Sequence, residues 1–207
     1  MQKYIVLNIE KEKRMQLKDR TYVLIDTETT GFNKEKHQLL EVAMLVIKDL
    51  KIIDKLEIKI KHKEYLVTTG AMSSNKIDII QHDKEGIDAK VACDEITAFL
   101  RKYIEFVDDK ANALIPIGQN IDFDLGFLEQ LFLSNYKIKD YRECISFRKL
   151  DIMQLALIKN LEGKIFLEKQ DLDTLLNTLN IEIPENRHRA LTDCYLEFEV
   201  LNRLLNL

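Results

Sequence analysis

Asp26 and Glu28 stand one residue apart, directly after the apolar run Tyr22-Val23-Leu24-Ile25 and before Thr29, Thr30, Gly31 and Phe32. β-favouring apolar residues in such a run read as a buried strand. A strand that delivers two carboxylates at its tip holds them rigidly at the edge of the core, as a hard, oxygen-seeking cation requires. A strand running into a polar turn would look the same, so the reading depends on other isolated acids reaching that point. Two stretches offer them. Gly118-Gln119-Asn120-Ile121-Asp122-Phe123-Asp124 places Asp124 at a strand-to-helix junction, where helix capping and the macrodipole would also favour Asp122 or Asp124. Arg187-His188-Arg189-Ala190-Leu191-Thr192-Asp193 sets a histidine just before a helix and an acid inside its first turns. Asp193 shares a helix face with Leu196 or Glu197 one turn later, and an acid aimed at a core needs a partner or a metal.

The elements that would position these residues follow from hydrophobic period. Tyr22–Ile25, the nearly continuous apolar run 39–47 and the alternating run 52–60 read as three strands, the last two joined by the short connection 48–51 as a hairpin. Three strands in succession without a helix between them indicate an antiparallel start to the sheet. Residues 62–90 are polar and mixed, with short helical turns expected. Ile96, Phe99, Leu100 and Tyr103 have the spacing of an amphipathic helix over roughly 92–106. A short strand at 114–118, a helix at 123–133, a strand at 146–149 and helices near 151–160, 171–179 and 190–205 complete the chain. Strands first, then strands alternating with helices, imply an α/β fold: a mixed β-sheet flanked by helices. Residues 1–20 read as an N-terminal extension and 21–207 as one domain.

The 207 residues, 46% of them hydrophobic, suffice for one proper core. A net charge of −4 with 32% charged residues describes an ordinary surface. It disfavours a protein that coats a long duplex through a broad basic face. It remains compatible with an enzyme gripping a strand end, with bound cations offsetting its acids. Cys93, Cys144 and Cys194 form no CxxC pair and read as reduced core or helix thiols of a cytoplasmic protein. No apolar run approaches a membrane span or a signal segment, so no membrane partner is expected. His37 and His62 are expected to be solvated and His82 to lie on the surface.

Together the three stretches resemble the DEDD (DnaQ-like) superfamily of 3′→5′ exonucleases, the group of bacterial proofreading subunits and ribonuclease T. The motif Asp-x-Glu-Thr-x-Gly is matched by Asp26, Glu28, Thr29 and Gly31. Asn-x-x-Phe-Asp-x-x-Phe-Leu is matched by Asn120, Phe123, Asp124, Phe127 and Leu128. His-x-x-x-x-Asp is matched by His188 and Asp193, which places the chain with the histidine (DEDDh) branch; Arg189 stands where the other branch has tyrosine. The resemblance runs from about Tyr22 to Leu205. It departs at Gln119, where the family often has histidine, and over 62–90, where the match is loose.

The resemblance implies a ribonuclease H-like fold and hydrolysis of phosphodiester bonds at the 3′ end of single-stranded DNA or RNA, with nucleoside 5′-monophosphates released. It implies two divalent ions, Mg²⁺ or Mn²⁺, for which oxygen ligands suffice. Asp26 would bridge both ions, Glu28 and Asp193 would complete one, and Asp124 would support the other. His188 would take the proton from the attacking water. Thr29, Phe32 and Asn120 would meet the substrate, although Phe32 also reads as a core aromatic and Asn120 as a brace for its turn. Asp122, Asp151 and Asp173 are left outside the site, with Asp151 as a helix cap. Thr-Thr-Gly in the first motif leans away from oligoribonucleases, which usually have Met-Thr-Gly; an RNA-trimming enzyme and a non-catalytic polymerase subunit are the alternatives. Roles in DNA replication or repair, a polymerase partner and a homodimer are all compatible with these motifs. Any polymerase tether is expected elsewhere than in a C-terminal tail, because the sequence stops soon after the third motif.

Overall fold

The computed structural model describes residues 20–107, 110–185 and 187–207. Apart from Arg20, the N-terminal extension expected at 1–20 lies outside the described residues.

The central strand β1 (Tyr22–Thr29) pairs antiparallel with β2 (Leu39–Lys48), and β2 pairs antiparallel with β3 (Lys51–Lys61). The antiparallel start expected from the sequence is present. After β3 come α1 (Thr69–Asn75), α2 (Ile79–Glu85), the short β4 (Ile87–Asp88) and α3 (Ala89–Arg101). A small hairpin, β5 (Glu105–Val107) and β6 (Lys110–Asn112), precedes β7 (Ile115–Gly118). The remainder is α4 (Ile121–Ser134), α5 (Ile138–Cys144), β8 (Leu150–Asp151), α6 (Ile152–Leu161), α7 (Leu172–Thr178) and α8 (Ala190–Leu205). Among the described residues the main sheet runs β4-β3-β2-β1-β7-β8, with β4, β7 and β8 parallel to their neighbours.

Strand alternation sorts the core into two layers. Val23, Ile25, Val42, Met44 and Val46 face α3 and α4, meeting Ile96, Leu100, Ile121 and Leu128. Leu24, Ala43, Leu45 and Ile47 face the other way, onto Ile152, Leu175, Val200 and Leu201 of α6, α7 and α8. β2 is buried on both faces, which accounts for its unbroken apolar run. Cys93, Cys144 and Cys194 are free and buried in these layers.

Several boundaries differ from the sequence reading. β1 continues past Ile25 to Thr29, because its ladder with β2 carries on through the polar residues. Asp26 and Glu28 are therefore strand residues on the Leu24 face, while Thr27 points to the opposite face. α3 stops at Arg101, since residues 105–107 are drawn into the hairpin. The strand expected at 146–149 is displaced to Leu150–Asp151, and α5 was not anticipated. His82 is buried, not on the surface, and its Nε2 hydrogen-bonds the Ile60 carbonyl at 3.1 Å. His62 is half-buried with Nε2 2.8 Å from the Leu39 carbonyl. Among the described residues no helix is long and apolar enough to cross a membrane.

Candidate active site

β1 delivers its acids to a point where both helical layers converge. α8 starts at Ala190, so Asp193 lies in its first turn and is directed at the Leu24 face of the sheet. One oxygen each from Asp26, Glu28 and Asp193 lie within 4.8 Å of one another. From the opposite layer, α4 brings Asp124, whose Oδ1 accepts a 2.6 Å hydrogen bond from the Thr27 hydroxyl. Asp124 falls outside that close trio, yet its charge acts on Asp26. Thr27, the residue between the two strand acids, is thus the link between β1 and the second layer's acid.

The electrostatics are those of crowded carboxylates removed from water. Burial pushes Asp26 well above the usual carboxylate range, and the charges of Glu197, Asp124, Asp193 and Glu28 add to the effect. Asp26 Oδ2 is buried without a hydrogen-bond partner among the described residues. Glu28 is raised to about 8 by burial and then by Asp193 and Glu41, while a hydrogen bond from Asn75 and the charge of Arg189 act against the rise. Asp124 is raised to about 7 by burial, moderated by Thr27. Asp193 is raised by burial, with Arg187 opposing. Such a set fits a divalent cation: the donors are all oxygens, one is orphaned, and positive charge would relieve the repulsion that raises the group.

The surrounding residues brace this arrangement. Glu28 stands directly across the ladder from Glu41, a fully buried acid that pairs with Arg189. Like charges directly opposite destabilise a sheet, and Arg189 offsets the second one while tying the start of α8 to β2. His188 has φ 67°, and its N–H points to Asp193 Oδ1 at 3.4 Å. The Thr29 hydroxyl donates to the Gly31 carbonyl at 2.8 Å and so tightens the turn after the acids. Gly31 has no room for a Cβ, which would meet the His37 ring at 2.6 Å. His37 is therefore packed under this turn and not freely solvated.

Phe32 is 79% exposed and edge-on to Phe123 at 6.3 Å, a surface aromatic and not a core residue. Asn120 takes a left-handed conformation at the start of α4, and its N–H donates to Asp151 Oδ1 at 3.1 Å. The same Asp151 oxygen caps α6 through Met153 N–H at 2.8 Å. Asp122 pairs with Lys149, and Asp173 with Arg187.

Three residues near the site escaped the sequence reading. Glu197 is 2% exposed, and its Oε2 accepts from Gln119 N–H at 3.1 Å. Burial, then Asp124, pushes it well above its usual range. Its signal was present: an acid one turn after Asp193 on the buried face of α8. Asn75, buried in the loosely matching segment, donates to the Thr29 carbonyl at 3.1 Å. Arg187 touches Asp193 Oδ2 through Nη1. Neither of these two carried a distinguishing pattern in sequence.

A mixed sheet flanked by helices, with an oxygen-only carboxylate site at the tip of its central strand, defines a ribonuclease H-like nuclease domain. The exonuclease family profile matches residues 23–201, and the chain belongs to that family, within the DnaQ-like 3′→5′ exonuclease superfamily. It is 29% identical over 177 residues to a PolC-type DNA polymerase III of Staphylococcus haemolyticus (strain JCSC1435), covering 86% of this chain and 11% of that protein. It is 25% identical over 190 residues to the PolC-type DNA polymerase III of Bacillus subtilis (strain 168), covering 91% and 12%. The chain thus spans about a tenth of the length of these relatives. In fold it is similar to the zinc-ion-bound E. coli ExoI–ssDNA complex, with a TM-score of 0.74, 19% identity and coverage of 90% of this chain and 40% of that one. Exonuclease I from Methylocaldum szegediense gives a TM-score of 0.73 at 16% identity, covering 90% and 40%.

Proposed function

We propose that the protein is a divalent-metal-dependent 3′→5′ exonuclease that acts on single-stranded nucleic acid, DNA in preference to RNA, and releases nucleoside 5′-monophosphates. The observation that carries this reading is the convergence of Asp26, Glu28 and Asp193, with Asp124 beside them, at elevated proton affinity and with an orphaned oxygen. Likeness to PolC-type DNA polymerases, together with an ExoI relative in fold whose structure holds ssDNA, supports DNA as the substrate.

Asp26, Glu28, Asp193 and Asp124 would hold the ions. The bound ions, Mg²⁺ or Mn²⁺, would supply Lewis acidity at the phosphate and offset the charge that develops on both changing oxygens. In the hydrolysis the oxygen of water forms the new bond to phosphorus, the bond to the 3′-oxygen breaks, and that oxygen gains a proton. His188 takes the proton that the attacking water loses. The backbone N–H of His188 points to Asp193 Oδ1 at 3.4 Å, which ties the main chain that carries this base to the acid cluster. Phe32, exposed against Phe123, packs on the terminal base. Thr29 and Asn120 serve the substrate chiefly by fixing the two turns that border it.

The test is digestion of 5′-labelled single-stranded DNA and RNA side by side, with Mg²⁺ and with EDTA. A ladder shortening from the 3′ end with Mg²⁺, faster on DNA and absent in EDTA, is expected. Cleavage that survives EDTA, or no cleavage of either strand, overturns the reading.

A further inference from the structure

Arg187 presses a cation against one member of the carboxylate cluster. Its Nη1 donates to Asp193 Oδ2, while Nε and Nη2 donate to Asp173 Oδ1 at 3.1 and 2.9 Å. The two acids differ in setting: the Asp193 side chain is 7% exposed and that of Asp173 is 54% exposed. The Arg187 side chain is 12% exposed, and it lies between a buried acid at the cluster and an exposed one at its tether. Asp173 lies in the first turn of α7, so the tether belongs to a different element from the one that carries Asp193.

An arginine at that place competes with any cation that Asp193 is to hold. It also has the planar fork that suits the oxygens of a phosphate, and it is attached on its far side to a second carboxylate that a cation at the cluster would not claim. Resting on the nuclease reading above, we propose that Arg187 is a further catalytic residue. It is parked on Asp193 in the free protein and transfers its Nη1 contact to a non-bridging oxygen of the scissile phosphate when a strand end binds. Asp173 holds the guanidinium throughout. Because Nε and Nη2 stay on Asp173, Nη1 keeps its place and the transfer is an exchange of acceptor there, the phosphate oxygen taking over from Asp193 Oδ2. A preorganised donor of this kind acts on the charge that builds on the phosphate as the bond breaks.

The proposal demands two effects of opposite sign from Arg187→Gln. Calorimetric titration of the metal-free full chain with Mn²⁺ should show binding tightened by about threefold or more, because a competing cation is gone. Binding of a fluorescent single-stranded oligonucleotide in Ca²⁺, with its intactness checked on a gel, should weaken by about tenfold. That loss should vanish when the last linkage is a methylphosphonate, which lacks one anionic oxygen. Arg187→Lys should keep part of the strand affinity, and Asp173→Asn should weaken strand binding without tightening Mn²⁺. Mn²⁺ affinity that falls together with the melting temperature would make Arg187 a structural clamp on Asp193 and overturn the proposal. An equal loss on both linkages would overturn it too. Wild-type protein that neither binds nor cleaves strands would instead count against the nuclease reading itself.

Discussion

The acids on β1 and the acid on α8 meet in one cluster but sit in opposite electrostatic circumstances. Asp26 Oδ2 is buried with no partner, and Glu28 faces another glutamate across the ladder. Asp193 has a guanidinium on one oxygen and a backbone N–H near the other. The strand tip is built around carboxyls that ionise only at a cost unless a cation is added, whereas the helix start carries its own cation. Strain held at a site in this way is offset by the rest of the fold, here by a strand buried on both sides of its acids.

The widest separation between the two regions should come from isosteric amides. Asp26→Asn and Asp193→Asn should each lower cleavage by about 10³-fold or more, equivalent to roughly 4 kcal/mol of barrier. Their effects on the metal-free protein should diverge. Asp26→Asn removes a buried carboxyl that is costly to ionise and should melt no lower than wild type, while Asp193→Asn strips Arg187 of its desolvated partner and should melt lower. Thermal melts in EDTA decide it, and equal losses in both variants would erase the contrast drawn above.

His188 belongs to the helix side and should matter to rate without holding a cation. His188→Ala should lower kcat by about 10²–10⁴-fold, or roughly 3–5 kcal/mol. Mn²⁺ affinity and strand-end binding should stay close to wild type, because the four carboxylates remain. A variant within about threefold of wild type would assign the proton to another group.

What the sequence made legible follows the same division. β1 could be read because burial and alternation act locally: a Val-Leu-Ile run followed by Asp26 and Glu28 has few other places to go. The antiparallel first strands and the main helices were legible for the same reason. Asp124 and Asp193 could be read as helix-start acids, but composition and period alone could not bring them to β1; the family resemblance supplied a shared site, and their approach from opposite layers is visible only in the structure. The Arg189–Glu41 and Arg187–Asp173 pairs join residues far apart or on separate elements, with no period linking them. His82 looked like surface because its neighbours are polar, yet its ring finds the Ile60 carbonyl inside. The short strand pairing at Leu150–Asp151 depends on β7 beside it and left no local signature.

The crowded acids also make stability depend on pH in the metal-free protein. Asp26, Glu28 (about 8), Asp124 (about 7) and Glu197 all bind protons more tightly when folded than a free carboxyl does. Between the unfolded value near 4 and those folded values the native state holds more protons, so stability is fully present below about pH 4 from these groups and is lost as pH rises towards 8. In EDTA the melting temperature should drop by about 4 °C or more from pH 5 to pH 8, corresponding to roughly 1–2 kcal/mol. Mg²⁺ or Mn²⁺ should reverse the trend, because the ions bind the ionised forms, and their stabilisation should be larger at pH 8 than at pH 5. A melting temperature in EDTA that climbs over this range would mean the cluster is already neutralised internally.

Glu197 gives the smallest expected effect and the finest test of the comparison, because it lies on α8 yet shares the circumstances of the β1 acids. It is buried, its proton affinity is raised, and it is the leading charge acting on Asp26 after burial itself. Its visible task is structural: Oε2 accepts the Gln119 N–H at the end of β7, where the chain turns into the helix carrying Asp124. A neutral carboxyl can still accept that bond, although an ionised one accepts it more strongly. Glu197→Gln keeps the acceptor and should leave cleavage within about threefold of wild type while flattening part of the pH dependence of stability. Glu197→Ala removes the acceptor, orphans a buried N–H and should cost about 1–3 kcal/mol. If Glu197→Gln instead silenced cleavage as Asp26→Asn should, Glu197 would be working as a charge, and the helix would contribute a second acid to the cluster.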